Sequence, residues 1–237
     1  MHRSFMLRSL VPAALVLTVA ACAAPGSADP IASAPAEFSF GLWGDMPYQK
    51  AGDDAKLPAV LQSINASDIA FSLYDGDIKD GSSKCTDDVY TDALKMFGSL
   101  KKPVVYVPGD NEWTDCHRLN NGGMDALERL AHLRKVMFPN LNSLGQTTLA
   151  LEHQGKLGEK FVENTRFVRN GVVFVGINMP GSNNNLIRDA RQCSAKSARK
   201  AAQCDAANAE YLERDTANVA WLNASFEQAR AQHAAGL

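Results

Sequence analysis

The runs Ile69-Ala70-Phe71-Ser72-Leu73-Tyr74-Asp75-Gly76-Asp77 and Val104-Val105-Tyr106-Val107-Pro108-Gly109-Asp110 decide the fold class. Each is a short, apolar, β-prone stretch that breaks into Gly-Asp, and Phe38-Ser39-Phe40-Gly41-Leu42-Trp43-Gly44-Asp45 is a third of the same kind. Helical spacing fills the gaps, with Leu57, Val60, Leu61 and Ile64 after the first run and Val89 to Leu100 after the second. A third helix is expected over Met124 to Phe138, where Leu127, Leu130, Ala131 and Arg134 step along it and Pro139 ends it. Strand, helix, strand about every 30 residues is the βαβ rhythm of a mostly parallel sheet, so the chain reads as α/β.

Past Pro139 the pattern changes. Phe161 to Arg169, Asn170-Gly171 and Val172 to Ile177 read as a hairpin, because Asn-Gly accepts the positive φ angles of a tight turn. A last helix is expected over Ala206 to Gln232, with Leu212, Val219, Leu222 and Phe226 spaced seven, three and four apart. The chain has 237 residues, 46% hydrophobic and 21% charged, which is ordinary globular usage.

The three strand-ending pairs, Gly44-Asp45, Gly76-Asp77 and Gly109-Asp110, lie 32 and 33 residues apart. With 17 Gly and 17 Asp, chance gives roughly one Gly-Asp pair; four occur, and the fourth, Gly52-Asp53, follows no strand. Gly and Asp are common after strands. Three in register are a different matter, because parallel strands bring their carboxyl ends to one crevice, where α/β ligand sites lie. Carboxylates gathered there repel unless cations sit between them. The pattern therefore predicts a metal site, with two ions if one carboxylate bridges.

The N-terminus reads as an export leader. His2, Arg3 and Arg8 precede an apolar run from Leu10 to Ala21, which is shorter than the roughly 20 residues a membrane span requires. It ends in Val19-Ala20-Ala21-Cys22, a lipobox-like site at which Cys22 would be lipidated; ordinary cleavage near Ala21-Cys22-Ala23 is the alternative. The expected division is leader 1–21, tether 22–36 and one domain 37–237, anchored by lipid facing the periplasm or cell exterior, or else secreted. Without the leader, 22 basic face 26 acidic residues, which argues against a nucleic-acid partner. Setting Cys22 aside leaves Cys85, Cys116, Cys193 and Cys204, an even set suited to two disulfides in an oxidising compartment. Of three pairings, Cys85–Cys116 and Cys193–Cys204 are preferred: the first joins two loops at neighbouring sheet ends, and the second closes a short excursion.

Gly44-Asp45-Met46-Pro47, Gly76-Asp77-Ile78-Lys79-Asp80-Gly81 and Gly109-Asp110-Asn111-Glu112 together resemble the motifs of calcineurin-like metallophosphoesterases. The middle motif matches fully, the outer two in part, over about residues 38–230. The resemblance implies a sheet sandwich flanked by helices. It implies that Asp45 holds the first metal, Asp77 bridges two, and Asp110 stands where an asparagine ligand is usual. Asn111 stands where a histidine assists the leaving group, and Asp80 and Glu112 would support the ligands from behind. Pro47 replaces a histidine ligand, and an amide at Asn111 cannot act as a general acid. His117 is the nearest substitute proton carrier. The visible donors are all oxygen, which favours Mn or Mg ions over Fe or Zn. Two later histidine segments of the family find no counterpart, so the resemblance implies an incomplete C-terminal part, weak ion binding and apolar surface on the far face of the sheet.

Weaker candidates surround these motifs. Tyr48 and Trp113 flank the loops and could meet a substrate, and the polar run Asn178 to Asn185, with Asn183 at its centre, could line a pocket. Arg188, Arg191, Lys196, Arg199 and Lys200 form a basic segment, read as a solvated excursion or as an attractor of phosphate. The expected function is an exported, metal-dependent phosphatase that turns water into the attacking hydroxide. The alternative is a catalytically weakened surface lipoprotein that binds phosphorylated or anionic ligands.

Overall fold

The computed structural model describes residues 37–48, 50–193 and 198–237. The leader, Cys22 and the tether lie outside them. Three short strands, β1 (Gly41–Trp43), β2 (Ser72–Tyr74) and β3 (Val104–Tyr106), form a parallel sheet in that order. Between them run α1 (Asp53–Ala66) and α2 (Asp87–Gly98), with α3 (Ala126–Met137) after β3. Asp125 caps α3 by accepting from the N–H groups of Leu127 and Glu128. A second, antiparallel sheet holds β4 (Glu152–His153), β5 (Thr165–Arg169) and β6 (Val172–Gly176), with Asn170 and Gly171 at positive φ in the expected turn. After it come α4 (Gly181–Asn184), a four-residue turn, and the long α5 (Ala201–Ala231).

Side-chain alternation explains the layering. Tyr74, Val104 and Tyr106 enter one core with Phe97 of α2 and Leu130, Leu133 and Met137 of α3. Phe71 and Val105 point the other way, into a second core with Phe167 and Phe174 of the antiparallel sheet. Phe71 meets both rings edge-on at centroid distances of 5.1 Å. The second sheet thus covers much of the far face, while Leu42 stays 66% exposed. On the outer side of the second sheet, Arg166 stacks on Trp221 of α5 at 4.2 Å.

The last helix forms as its spacing predicts, but with its faces exchanged. Leu212, Val219 and Phe226 are exposed, whereas Arg214, Asn218 and Ser225 are buried beside Trp221. The side it packs on presents backbone carbonyls, and polar side chains satisfy them: Arg214 and Asn218 both donate to the Asn178 carbonyl, at 2.7 and 2.8 Å. Among the described residues no helix is long and apolar enough to cross a membrane.

Candidate functional site

Register sets the site. Trp43 pairs with Tyr74 and Tyr74 with Tyr106, so the three Gly-Asp loops leave the sheet side by side. The Asp45 N–H donates to the Gly76 carbonyl at 3.0 Å, joining the first loop to the second. A Cβ on Gly76 would collide with the Gly109 nitrogen, and one on Gly109 with Oδ1 of Asp77, so only glycine lets the second and third loops touch. Asp45 and Asp77 both take left-handed backbone, at φ 55° and 61°. Non-glycine residues hold that conformation only where their surroundings impose it.

Two of the carboxylates, Asp45 and Asp77, meet at one hydroxyl. Tyr48 donates to Oδ1 of Asp45 at 2.6 Å and lies 3.4 Å from Oδ2 of Asp77, and the Asn111 side-chain amide donates to the Tyr48 hydroxyl at 3.5 Å. Burial pushes Asp77 up to about 6, and the charges of Asp110 and Asp45 add to the rise, against the Asn111 N–H that favours its ionised form. Asp110 lies between Gly109 and Asn111, both of which meet the Asp77 side chain.

Glu112 is fully buried and fastens the loops from below. Its carboxylate accepts from the Gly109 N–H at 2.7 Å, the Tyr106 hydroxyl at 2.8 Å and the Asp77 N–H at 3.1 Å. Burial, then the charge of Asp77, pushes it up to about 7. Asp80 turns the other way, accepting from the N–H groups of Ser82 and Ser83 at 2.7 and 3.0 Å, and so shapes the loop that follows Asp77. Both preferred disulfides form. Cys85–Cys116, with Cα atoms 5.7 Å apart, straps the loop after Asp80 to the turn after Asp110, and Cys193–Cys204 closes the basic excursion.

Trp113 does not face a substrate. It is fully buried, its ring 5.1 Å from the Arg214 guanidinium, because the turn after Asp110 folds inward onto the core. Asn183 does reach a cavity, of about 380 Å³, together with His117, Arg118, Ser182, Gln192 and Arg199, over Asp115. Burial pushes His117 down to about 4, and the charges of Arg199 and Arg118 add to this, while the Thr114 carbonyl 2.7 Å from Nδ1 opposes it. Its ring is neutral at pH 7.

Ser182 links this cavity to the carboxylates. Its hydroxyl lies 2.7 Å from Oδ2 of Asp110 and 2.6 Å from Oδ1 of Asp115. Ser182, Asn183, Asn184 and Asn185 all have left-handed φ, between 49° and 64°. Fully buried Arg214, ion-paired with Glu210, holds the run by donating to the Asn184 carbonyl at 2.9 Å. The Asn-rich composition signals such a turn, since asparagine tolerates left-handed backbone best after glycine. Nothing in the sequence marks Arg214 as its anchor. Asp115 carries no motif and emerges only from the geometry, while Ser182 belongs to the polar run expected to line a pocket but carries no sign of its contact with Asp110.

By type, the oxygen donors of Asp45, Asp77 and Asp110 are those a hard divalent ion takes. As the side chains stand, no three His, Cys, Asp or Glu groups among the described residues are spaced to hold one. His132 and His153 lie elsewhere, His132 beside Asp87 on α3 and His153 against Phe138. Compared with protein-family models and with curated proteins, the chain matches none.

Proposed function

We propose that the chain hydrolyses phosphate esters at a divalent-metal centre held by Asp45, Asp77 and Asp110. The observation that carries this reading is the register that sets three Gly-Asp ends side by side on one sheet edge, where burial and then the charges of Asp110 and Asp45 raise Asp77. Mn²⁺ or Mg²⁺, one or two ions, suits an all-oxygen donor set better than Fe or Zn does. Such ions, when bound, polarise phosphoryl oxygens and lower the pKa of water.

The chain's own groups do the rest. Glu112 fixes the spacing of the second and third loops, and Asn111 offers an amide that can orient a substrate oxygen. Tyr48, whose hydroxyl burial holds protonated, supplies a donor at the same point. His117, neutral at pH 7, holds no imidazolium proton to give to a leaving group. Leaving groups that depart without protonation are therefore the suitable ones. Export with a lipid anchor at Cys22 fits the two disulfides, which persist in oxidising compartments. The membrane contact would be through the lipid alone, with no nucleic-acid partner.

The test is turnover of p-nitrophenyl phosphate and its bis-ester with added Mn²⁺ or Mg²⁺. Metal-dependent turnover that Asp77→Asn abolishes upholds the reading. Metal binding without turnover favours a ligand-binding lipoprotein, the reading to which Pro47 and Asn111, standing where histidines act, already incline.

A further inference from the structure

The cavity beside Asp110 holds charge that the carboxylate cluster does not explain. Arg118 is ion-paired with Asp115 at 2.6 Å and donates from its other terminal nitrogen to Ser182 Oγ at 3.3 Å. Among the described residues Arg199 meets only neutral oxygens, the Thr114 carbonyl at 3.4 Å and Asn185 Oδ1 at 3.5 Å. Among the described residues no carboxylate lies within ion-pair distance of it; Asp115 and Asp125 act from farther off, and Arg118 repels it. Two guanidiniums thus share one cavity with a single carboxylate, and their forked donors match phosphoryl oxygens. The Asn183 amide and the Gln192 side chain complete a polar lining, and Ser182 belongs to this wall and to the Asp110 contact alike.

We propose that this cavity binds a second phosphoryl group, held by Arg118 and Arg199, so that the substrate is a phosphoanhydride and not a simple monoester. The substrate half of this inference rests on the phosphoesterase reading; the anion site itself stands on the chain's own cations. A phosphoanhydride also suits a site whose histidine cannot protonate a leaving group. Water oxygen bonds to phosphorus and the P–O bond to the bridging oxygen breaks, its electron pair staying on the departing phosphate. One proton of the water is released to solvent, and the other stays with the new phosphate.

The experiment has two arms. In the first, calorimetry with inorganic phosphate and pyrophosphate in EDTA uses the full chain, Arg199→Ala and Arg118→Gln. Binding by the parent chain, weakened about tenfold or more in Arg199→Ala, is expected for loss of a charge-assisted contact. No binding by the parent, or affinity in both variants equal to the parent's, overturns the proposal. In the second arm, Mn²⁺-supported turnover is compared for pyrophosphate and p-nitrophenyl phosphate. A fall of about tenfold in the ratio of their kcat/KM values in Arg199→Ala supports a substrate subsite. Arg199-dependent phosphate binding with an unchanged ratio assigns the cavity to free phosphate and overturns the substrate half. The same binding with no turnover of any ester leaves the anion site standing while the phosphoesterase reading falls.

Discussion

The backbone N–H of Asn111 donates to Oδ1 of Asp77 across 3.1 Å, so the third Gly-Asp loop is fastened to the carboxylate of the second. Glu112, one residue on, takes the Asp77 N–H in return at 3.1 Å. Asp77 is therefore aimed from both ends of its own residue while its side chain stands near two other carboxylates.

Replacing that one charge tests the cluster. Asp77→Asn is expected to abolish Mn²⁺ binding by calorimetry while the far-ultraviolet circular dichroism stays that of the parent. Retained affinity removes Asp77 from the ligand set.

The pH dependence has two opposed parts. Asp77 titrates near 6 in the fold against an ordinary value of 3.8, so the native chain keeps a proton that the unfolded chain has lost, and stability falls as pH rises through that window. His117 titrates near 4 against 6.5, so the unfolded chain takes up the proton first, and stability is lost as pH falls through that range. In EDTA, the Tm advantage of Asp77→Asn over the parent should grow from pH 4 to pH 6. That of His117→Gln should be largest at the acid end. Differences that stay flat across the range contradict both assignments.

Glu112 is the support whose loss should harm folding most. Glu112→Ala strands two backbone N–H groups and a buried tyrosine hydroxyl, at about 1–3 kcal/mol for each unsatisfied group, so a loss of about 3–5 kcal/mol is expected in urea unfolding. Glu112→Gln keeps an acceptor and removes a like charge from beside Asp77, and should cost less than half as much.

The Cys85–Cys116 strap closes 31 residues that include Asp110. Its removal by paired serine substitution should cost about 3–4 kcal/mol through the unfolded chain alone. Mn²⁺ affinity should fall as well, since the strap joins loops on either side of the cluster. Equal affinity with and without the disulfide would confine its role to stability.

How much of this was legible follows from where each signal resides. The βαβ order and the Asn170-Gly171 hairpin are local matters of spacing and turn chemistry, and both appear in the structure. The neighbouring of the Asp45, Asp77 and Asp110 loops follows from parallel strands, because register sets segments 32 and 33 residues apart side by side. Apolar spacing failed on α5, where the surface to be covered was made of carbonyls and Arg214 and Asn218 won the buried side from Leu212 and Val219. Trp113 shows the same limit: proximity in sequence to Asp110 says nothing about which way a turn folds. Ser182, 72 residues from Asp110, is brought to it by tertiary packing alone.

The left-handed run at Ser182 to Asn185 restricts which sequences can keep this site. Each ordinary side chain placed there costs about 1–2 kcal/mol, and β-branched residues fit worst. Apart from Ser182, whose hydroxyl meets Asp110, the three asparagine positions leave little room for drift beyond glycine, asparagine and aspartate. Substitution elsewhere on the surface is nearly free by comparison, so in any lineage that retains the Ser182–Asp110 contact this short window should change slowly while the exposed residues around it turn over.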